Sequence, residues 1–413
     1  MTLVIKLQYK LDSFKYLLYI CKIIIEKMAD TALKLVYLTP ALYMAGGVER
    51  VLTLKANYFA EHFGYDITII LTEGKDKPLF YPLSDKIKVV NLNIGFEELW
   101  TCSFTKKIFV YLKKQRQFKN ALTKELMRIR PDITISLLRR EINFLNDIKD
   151  GSRKIGELHV NRTNYRNFEA NEANILKNLF AKFWMRSLVS KLKRLDTFVV
   201  LTKEDKKVWP ELKNVTVIPD PLSFMPTQHS PLTEKRVIAV GRYVYQKGFD
   251  LLLQAWARIE KQYPDWQLAI FGDGNRTPYE QQMKELGVDS SRCHLNGPTT
   301  NIQQEYVNSS LFVFSSRFEG FGMVLVEAMA CGLPVISFAC PCGPKDIIKD
   351  GEDGFLVGNG NVAALVAKMS QLMGDESLRM SMSLIGQRNA RRFSVEQIAG
   401  RWKGIFESNE KQS

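Results

Sequence analysis

The chain has 413 residues, of which 46% are hydrophobic and 25% are charged. This composition is typical of a globular protein and excludes a fibrous or disordered chain, and the length predicts two domains rather than one. The net charge of +14 lies in the first half alone. Residues 1–200 carry 34 Lys and Arg against 20 Asp and Glu, whereas residues 201–413 carry 24 of each.

The basic first half predicts an anionic partner, and a merely solvated basic face is the alternative. We favour an anionic membrane surface or a phosphate-bearing lipid. Nucleic acid is not expected, because no basic motif with interleaved aromatic residues of an RNA-binding type is present.

The six cysteines, at positions 21, 102, 293, 331, 340 and 342, form no Cys-x-x-Cys pair and show no zinc-site spacing. We therefore expect buried, small residues in a reducing compartment. Residues 1–33 are predicted to be an extension outside the core. Their apolar run, Leu17–Ile25, is interrupted by Lys22 and is far shorter than the roughly 20 residues of a membrane span. An interfacial helix and a true start at Met28 are the alternatives to a disordered or surface segment.

Apolar strands alternate with helices along the first half, which predicts an α/β fold with a parallel sheet. The predicted strands are 34–39, 66–71, 87–92, 132–137 and 197–202. Gly46 and Gly47 form a turn between the first strand and a helix that runs to Phe63. As a dinucleotide fingerprint this turn is weak, because the full Gly-x-Gly-x-x-Gly pattern is absent.

Two predicted helices of the first half, 106–130 and 177–194, are strongly basic and also carry aromatic residues. Basic helices of this kind suit an anionic membrane surface. The alternative is that their apolar faces pack on the sheet, so the membrane interpretation depends on the charge.

The second half begins with a predicted strand, 235–240, that leads directly into a loop bounded by Gly241 and Gly248. Arg242 and Lys247 lie five positions apart on this loop. Arg offers a planar fork of donors and Lys a mobile point charge, so both can reach a diphosphate. A further glycine turn, with Gly272 and Gly274, follows the next predicted strand, 266–271.

A motif near residue 320 combines a strand, a glycine loop and a helix. The apolar run 311–314 is followed by Glu319-Gly320-Phe321-Gly322 and by a helix that is predicted to begin near Met323 and Val324 and to end before Gly332. Such a turn directs backbone N–H groups and a helix N-terminus at one point, which suits a phosphate. Glu327 follows Glu319 by eight positions. Two carboxylates beside a phosphate-binding loop predict a ligand that carries hydroxyl groups near its phosphates, namely a sugar nucleotide.

Glu319 and Glu327, together with Glu-Gly-Phe-Gly and Glu-Ala-Met-Ala-Cys-Gly-Leu-Pro-Val, resemble the paired-glutamate signature of retaining glycosyltransferases of the family-four type. The resemblance implies the GT-B fold, in which two Rossmann-like domains face a cleft. It places an acceptor domain at 34–214 and a nucleotide-sugar donor domain at 215–389, with a C-terminal helix at about 390–410 that packs back on the first domain.

The resemblance also implies roles for individual residues. Arg242 and Lys247 would bind the donor diphosphate, Glu327 the ribose, and Glu319 the donor sugar. Gly46 and Gly47 would lie near the donor phosphates and the acceptor, and Gly272 and Gly274 near the base and ribose. His159 would contact the donor sugar. The sequence departs from the family pattern at two points: Leu158 separates Glu157 from His159, and Asp220 replaces the usual Asn.

We therefore expect transfer of a hexosyl or N-acetylhexosaminyl unit, with retention, from a UDP-sugar in preference to a GDP-sugar. No Asp-x-Asp motif stands where a donor metal would bind, so neither a metal nor a cofactor is expected. The expected acceptor is a glycan or lipid-linked glycan of bacterial-type surface polysaccharide assembly, at the inner face of the cytoplasmic membrane. The alternatives are a soluble transferase acting on a sugar phosphate, a catalytically silent scaffold subunit, and a nucleotide-sugar epimerase.

Overall fold

A computed structural model describes residues 32–101, 103–162 and 175–408. The segment Leu17–Ile25, Cys21 and Cys102 lie outside the described residues. The four described cysteines are buried free thiols, at positions 293, 331, 340 and 342. None of the described helices is both long enough and apolar enough to cross a membrane.

The first domain contains a seven-stranded sheet in which every strand pair is parallel, in the order β3-β2-β1-β4-β5-β6-β7. Its strands are β1 (Lys34–Thr39), β2 (Asp66–Leu71), β3 (Lys88–Asn91), β4 (Ile133–Ser136), β5 (Arg153–Leu158), β6 (Thr197–Val200) and β7 (Val215–Val217). Its helices are α1 (Gly47–His62), α2 (Phe104–Ile129), α3 (Ile175–Leu192) and α4 (Lys203–Lys207), with 3-10 turns at Phe96–Thr101, Glu141–Asn143 and Leu145–Asp147.

The second domain contains a six-stranded parallel sheet in the order β10-β9-β8-β11-β12-β13. Its strands are β8 (Arg236–Val240), β9 (Gln267–Phe271), β10 (Cys293–Asn296), β11 (Leu311–Phe314), β12 (Val335–Phe338) and β13 (Gly354–Val357). Its helices are α5 (Phe249–Ile259), α6 (Thr277–Leu286), α7 (Ile302–Val307), α8 (Met323–Ala330), α9 (Pro344–Ile347), α10 (Val362–Gly374) and α11 (Glu376–Ala390). The α/β fold class expected from the sequence is therefore confirmed.

Both faces of each sheet are covered, which explains why the strands are apolar along their whole length. In β1, Leu35 and Tyr37 face a cluster with α1, whereas Val36 and Leu38 face a cluster with α2. In β11, Leu311 and Val313 face α5 and α10, and the alternate residues face α8. Because successive side chains point to opposite faces of a sheet, one apolar run contributes to the hydrophobic clusters on both faces.

The last helix, α12 (Val395–Glu407), packs on the first domain after the chain has completed the second. Its Trp402 and Phe406 lie in the cluster around α1 and β1. Arg153 of β5 donates to the carbonyl oxygens of residues 405 and 406, each at 3.1 Å. The last turns of the chain are thereby tied to the first sheet.

The boundary between the sheets lies later than the sequence pattern suggested. We expected the second domain to begin at residue 215, but β7 (Val215–Val217) pairs in parallel with β6 and completes the first sheet. The connection to β8 therefore starts after Val217. The segment β7 joins the first sheet because a short apolar strand is stabilised by pairing with the free edge of β6.

Candidate active site

Three loops at the carboxyl ends of neighbouring strands meet in the second domain. They follow β8, β9 and β11, which are adjacent in the sheet. A Cβ atom on Gly272 would lie 1.7 Å from the carbonyl oxygen of Gly241, so the first two loops touch through backbone alone. Gly274, with φ of +121°, continues the same turn against Tyr243. The carboxyl ends of strands in an open α/β sheet are where ligands bind.

Glu319 and Lys247 form an ion pair between two of these loops. The Lys247 ammonium nitrogen lies 2.7 Å from Glu319 Oε1. The Gln246 side chain donates to the carbonyl oxygen of Phe318 at 3.0 Å and lies 3.4 Å from Glu319 Oε2. Both charged side chains are mostly buried, Lys247 at 16% and Glu319 at 8% exposure. The predicted diphosphate-binding Lys and sugar-binding Glu therefore neutralise each other in this structure.

Arg242 lies on the same loop as Lys247, and its side chain is exposed. Within the described part of the chain, no salt bridge to its guanidinium is found. The loop itself is anchored nearby, since Arg317 forms a bidentate pair with Asp250 at 2.7 and 2.6 Å. Arg242 is thus an unneutralised cation on a held loop, next to the Lys247–Glu319 pair.

The loop from Gly320 to Val324 lies against the first domain. A Cβ on Gly320 would lie 2.3 Å from the carbonyl oxygen of His159, so no larger residue fits at this contact. The Asn161 amide donates to the carbonyl oxygen of Glu319 at 2.8 Å. Gly322, with φ of +100°, precedes α8, and this left-handed conformation favours glycine. Phe321 is buried, and Met323 and Val324 are half-buried in the first turn.

Glu327, in α8, is 2% exposed, and its carboxylate is held by groups from three parts of the chain. Arg50 Nη1 lies 3.2 Å from Oε1, the Ser223 hydroxyl donates to the same oxygen, and the Tyr306 hydroxyl donates to Oε2 at 3.2 Å. Arg50 follows the Gly46-Gly47 turn in α1, so this contact joins the two domains. A ribose hydroxyl could bind Oε1 only by replacing Arg50 or Ser223, because a carboxylate oxygen has two lone pairs.

Gly46 and Gly47 lie at the start of α1, beside this contact. The Glu49 side chain folds back over Gly46, where a Cβ atom would lie 1.8 Å from Glu49 Oε2. Gly47 is exposed. The turn therefore brings Arg50, one helical turn later, towards the second domain.

His159 lies just beyond the end of β5, between two carboxylates. Its Nε2 is 3.3 Å from Glu157 Oε1, and its Nδ1 is 3.3 Å from Asp220 Oδ1. Lys55 of α1 donates to Glu157, and both of these side chains are fully buried. Burial alone would lower the pKa of His159, but the charges of Asp220 and Glu157 raise it to about 9. Burial would raise the pKa of Glu157, whereas Lys55 and His159 lower it to about 2.

Glu157, His159 and Asp220 are also the one group of potential metal ligands found among residues 32–101, 103–162 and 175–408. The arrangement does not favour a cation. The two carboxylates face opposite nitrogens of one ring, and Lys55 already places a positive charge on Glu157. Of the two departures from the family pattern, Asp220 belongs to this cluster, whereas Leu158 packs in the hydrophobic cluster with Phe198 and Val200.

Residues 224–389 match the family model of glycosyl transferases group 1. This region of the chain is similar to that family. The matched region contains all three loops of the second sheet, with Arg242, Lys247, Glu319 and Glu327.

Three relatives are similar to this chain over nearly their whole length. An uncharacterised glycosyltransferase of Haemophilus influenzae is 29% identical over 369 residues, which cover 88% of this chain and 96% of the relative. The amylovoran biosynthesis glycosyltransferase AmsD of Erwinia amylovora is 28% identical, over 90% and 99%. A Campylobacter jejuni enzyme, named GalNAc-alpha-(1->4)-GalNAc-alpha-(1->3)-diNAcBac-PP-undecaprenol alpha-1,4-N-acetyl-D-galactosaminyltransferase, is 27% identical, over 87% and 94%.

Solved structures confirm the GT-B fold of the chain. A crystal structure of TarM has a TM-score of 0.71 at 17% identity and covers 92% of this chain and 100% of its own. HepE from Anabaena, in complex with UDP and glucose, has a TM-score of 0.65 at 18% identity, over 91% and 100%. At these identities the likeness shows the fold alone.

Sequence reasoning missed five residues that the structure brings to this site, namely Lys55, Arg50, Asn161, Ser223 and Tyr306. Arg50 had a signal in its position one turn after the Gly46-Gly47 loop. Asn161 stands two residues after His159 and could have been included with it. Ser223 and Tyr306 lie far from Glu327 in the sequence, and no local pattern marks them.

Proposed function

We propose that this glycosyltransferase moves a hexosyl or N-acetylhexosaminyl unit, with retention, from a nucleotide diphosphate sugar to a lipid-linked or other glycan in surface polysaccharide assembly. The observation that carries the donor assignment is the Lys247–Glu319 pair beside exposed Arg242. A donor diphosphate would supply the partner that Arg242 lacks and would bind Lys247 as well, and the sugar hydroxyls would take the place of Lys247 on Glu319. The names of AmsD and of the Campylobacter jejuni transferase support an acceptor in surface polysaccharide assembly.

In this proposal Arg242 and Lys247 stabilise the negative charge that develops on the leaving diphosphate. Preorganised cations and backbone N–H groups at a helix N-terminus do this most effectively when they are held before the reaction begins. Arg242 and Lys247 are held by the anchored loop, and α8 begins at Met323 beside it. Two cations replace a donor metal, so no metal is needed. No protein nucleophile is assigned, and the two glutamates do not act as a glycosidase pair.

Glu327 is proposed to bind the ribose of the same donor. Because Arg50 and Ser223 occupy Oε1, a ribose hydroxyl that binds this oxygen displaces one of them, whereas Oε2 accepts only from Tyr306. Arg50 is the partner more easily released, since its side chain is 36% exposed and belongs to the other domain. Donor binding and the interdomain contact are therefore linked.

A UDP-sugar is the favoured donor, and HepE, which shares the fold, has been solved with UDP and glucose. The direct test is a thermal-shift screen of UDP- and GDP-sugars with and without EDTA. One donor family should raise the midpoint, because a ligand that binds the folded state stabilises it. EDTA should not change the shift, and Arg242→Ala should abolish it. Arg258→Ala, an exposed Arg on α5, is the matched control.

Three results would count against the proposal, two from that screen and one from an assay of the free sugar. No shift with any nucleotide sugar would favour a scaffold subunit. Release of a changed free sugar without an acceptor would favour an epimerase. A shift that requires a divalent metal would contradict the role given to Arg242 and Lys247. Retention itself is tested by the anomeric configuration of the product, read by NMR.

The acceptor is proposed to be membrane-borne, and the protein to bind the inner face of the cytoplasmic membrane peripherally. The structure adds a surface to the charge argument. Large apolar side chains are exposed to solvent near the start of α2. Trp100, in the turn before the helix, is 78% exposed, and Phe109, in the helix, is 72% exposed. The neighbouring Ile108 and Leu112 are exposed as well. Exposed Lys106 and Lys107 lie in the same turns. Apolar side chains among lysines suit the interface of an anionic bilayer.

This end of α2 lies at the carboxyl ends of the strands, because the helix runs back towards the start of β4. Binding to phosphatidylglycerol vesicles should be strong in about 0.1 M salt and weak in about 1 M, as the screening length falls from roughly 10 Å to 3 Å. Lys106→Gln/Lys107→Gln should weaken it by about 1 kcal/mol per Lys. Lys119→Gln/Lys124→Gln, farther along α2, is the control. Equal loss in both pairs, or binding only to a neutral lipid, would contradict the assigned surface.

A further inference from the structure

We propose that Asp220 and Glu157 are positioning residues that hold His159 as an imidazolium throughout the neutral range. In this form His159 acts through its fixed charge and place at the domain boundary, not as a proton donor or acceptor. The inference for catalysis rests on the proposed function, whereas the charge state of the ring does not.

The geometry around the ring carries this proposal. Each ring nitrogen faces a different carboxylate oxygen at 3.3 Å, and the side chain is only 6% exposed. A neutral imidazole has one N–H and one lone pair, so one nitrogen would direct its lone pair at a carboxylate oxygen. An imidazolium presents an N–H to both. Little water is available to compensate for the wrong form, because the ring is only 6% exposed.

The charges around the ring balance only when His159 is protonated. Lys55 from α1 neutralises Glu157, and Asp220 is then left as a buried anion whose nearest cation is the ring. An unpaired buried carboxylate is costly. Tyr37 of β1 also lies near Glu157, and burial raises its pKa, so it stays neutral. The groups that act on the imidazole from the surrounding elements are therefore Glu157 and Asp220 directly and Lys55 through Glu157.

The held ring connects the parts of the proposed active site. The carbonyl oxygen of His159 meets Gly320, and Asn161 binds the backbone of Glu319. Asp220 lies three residues before Ser223, which binds Glu327. The ring thus joins the end of β5 to the interdomain connection, and the backbone of His159 and the side chain of Asn161 join the same segment to the loop of Glu319. Since each nitrogen lies 3.3 Å from a carboxylate oxygen, a hydroxyl of the donor sugar would have to compete with a carboxylate for either N–H group.

The test is a pH titration of the histidine rings by NMR on the intact protein labelled at its four histidines, with His159→Gln to assign the signal. His159 should show the imidazolium spectrum from pH 6 to pH 8 and should not titrate. In Asp220→Asn it should titrate within that range. Asp85→Asn, at an exposed position, should leave it unchanged. A wild-type ring that titrates near pH 6.5, or that is a neutral tautomer at pH 7, would overturn the proposal.

Activity gives a second readout that a merely structural role would not change. In Asp220→Asn, kcat should fall about tenfold between pH 6 and pH 8 as His159 loses its proton, whereas the wild-type profile should stay flat. KM for the donor should change less than kcat. A flat profile in a folded Asp220→Asn variant whose His159 does titrate would overturn the catalytic part. Failure to find any transferase activity would count against the proposed function and leave the NMR result standing.

Discussion

Two Lys–Glu pairs lie near the boundary between the domains, and they differ in their access to water. Lys55 and Glu157 are 1% and 2% exposed, whereas Lys247 and Glu319 are 16% and 8% exposed. Lys55 is also covered by the Trp402 ring, 4.5 Å from its nitrogen. Lys247 instead shares its loop with exposed Arg242. The first pair is enclosed by side chains of α1, β5 and α12, and the second is open at one end.

The difference in burial assigns different roles to the same chemistry. A fully buried pair cannot exchange a partner without leaving a charge in a medium that does not solvate it. A pair that is open to solvent on one side, such as Lys247–Glu319, can exchange one partner for a ligand of the same charge at a smaller cost in free energy. We therefore expect Lys55–Glu157 to govern stability and the charge of His159, and Lys247–Glu319 to govern donor binding.

The largest effect is expected for Lys55→Met, which leaves Glu157 buried without its cation. The free energy of unfolding should fall by about 3–5 kcal/mol, measured by urea denaturation. The double variant Lys55→Met/Glu157→Gln should recover part of this loss, because it removes the stranded charge. A single variant that is as stable as the wild type would show that the pair is not enclosed as described.

Lys247→Met should act on the reaction instead. Loss of one preorganised group that stabilises transition-state charge lowers kcat by about 10²–10³-fold. The midpoint of unfolding should fall less than in Lys55→Met, because Glu319 is more exposed than Glu157. Lys235→Met, which removes the cation from an exposed pair with Asp265, is the control and should retain activity. If Lys247→Met unfolded the protein while keeping its activity per folded molecule, the contrast between the two pairs would be wrong.

The smallest effect is expected at the contact between Arg50 and Glu327, because Arg50, at 36% exposure, is more open to water than either Lys of the two pairs. Arg50→Met should tighten UDP binding by up to about five-fold, because an ion pair with one exposed partner is worth about 0.2–1 kcal/mol and the proposed ribose contact at Oε1 displaces it. Calorimetry with UDP measures this change. Weaker binding in Arg50→Met would mean that Arg50 contacts the nucleotide rather than competing with it.

Much of the fold could be predicted because the strands of both sheets are buried on two faces and read as short apolar runs. Runs such as 34–39 and 311–314 correspond to strands in the structure. Helices such as α6, α10 and α11 were not recognised. In α11, serines and a glycine interrupt the apolar pattern, so that its periodicity is weak. The strand β7 was assigned to the wrong side of the boundary because three residues carry too little pattern to show their partner.

Part of the candidate site could also be predicted from the sequence, because the residues concerned lie close together along the chain. Glu319 and Glu327 lie on one loop and helix, and Arg242 and Lys247 on one loop, so their spacing reflects their geometry directly. The contacts between these charged side chains could not be predicted from the sequence. Lys247 pairs with Glu319 across 72 positions, and Arg50 with Glu327 across 277.

The sequence by itself determined the α/β class, the order of the elements in each half and the loops that carry the charged residues, because these depend on side-chain pattern within a few positions. Tertiary structure alone decided which charges meet. It enclosed Glu157, His159 and Asp220 in one cluster, and it left Arg242 in water. The physical reason is that the state of a charge depends on its burial and its nearest partner, and both are set by segments that lie far apart along the chain.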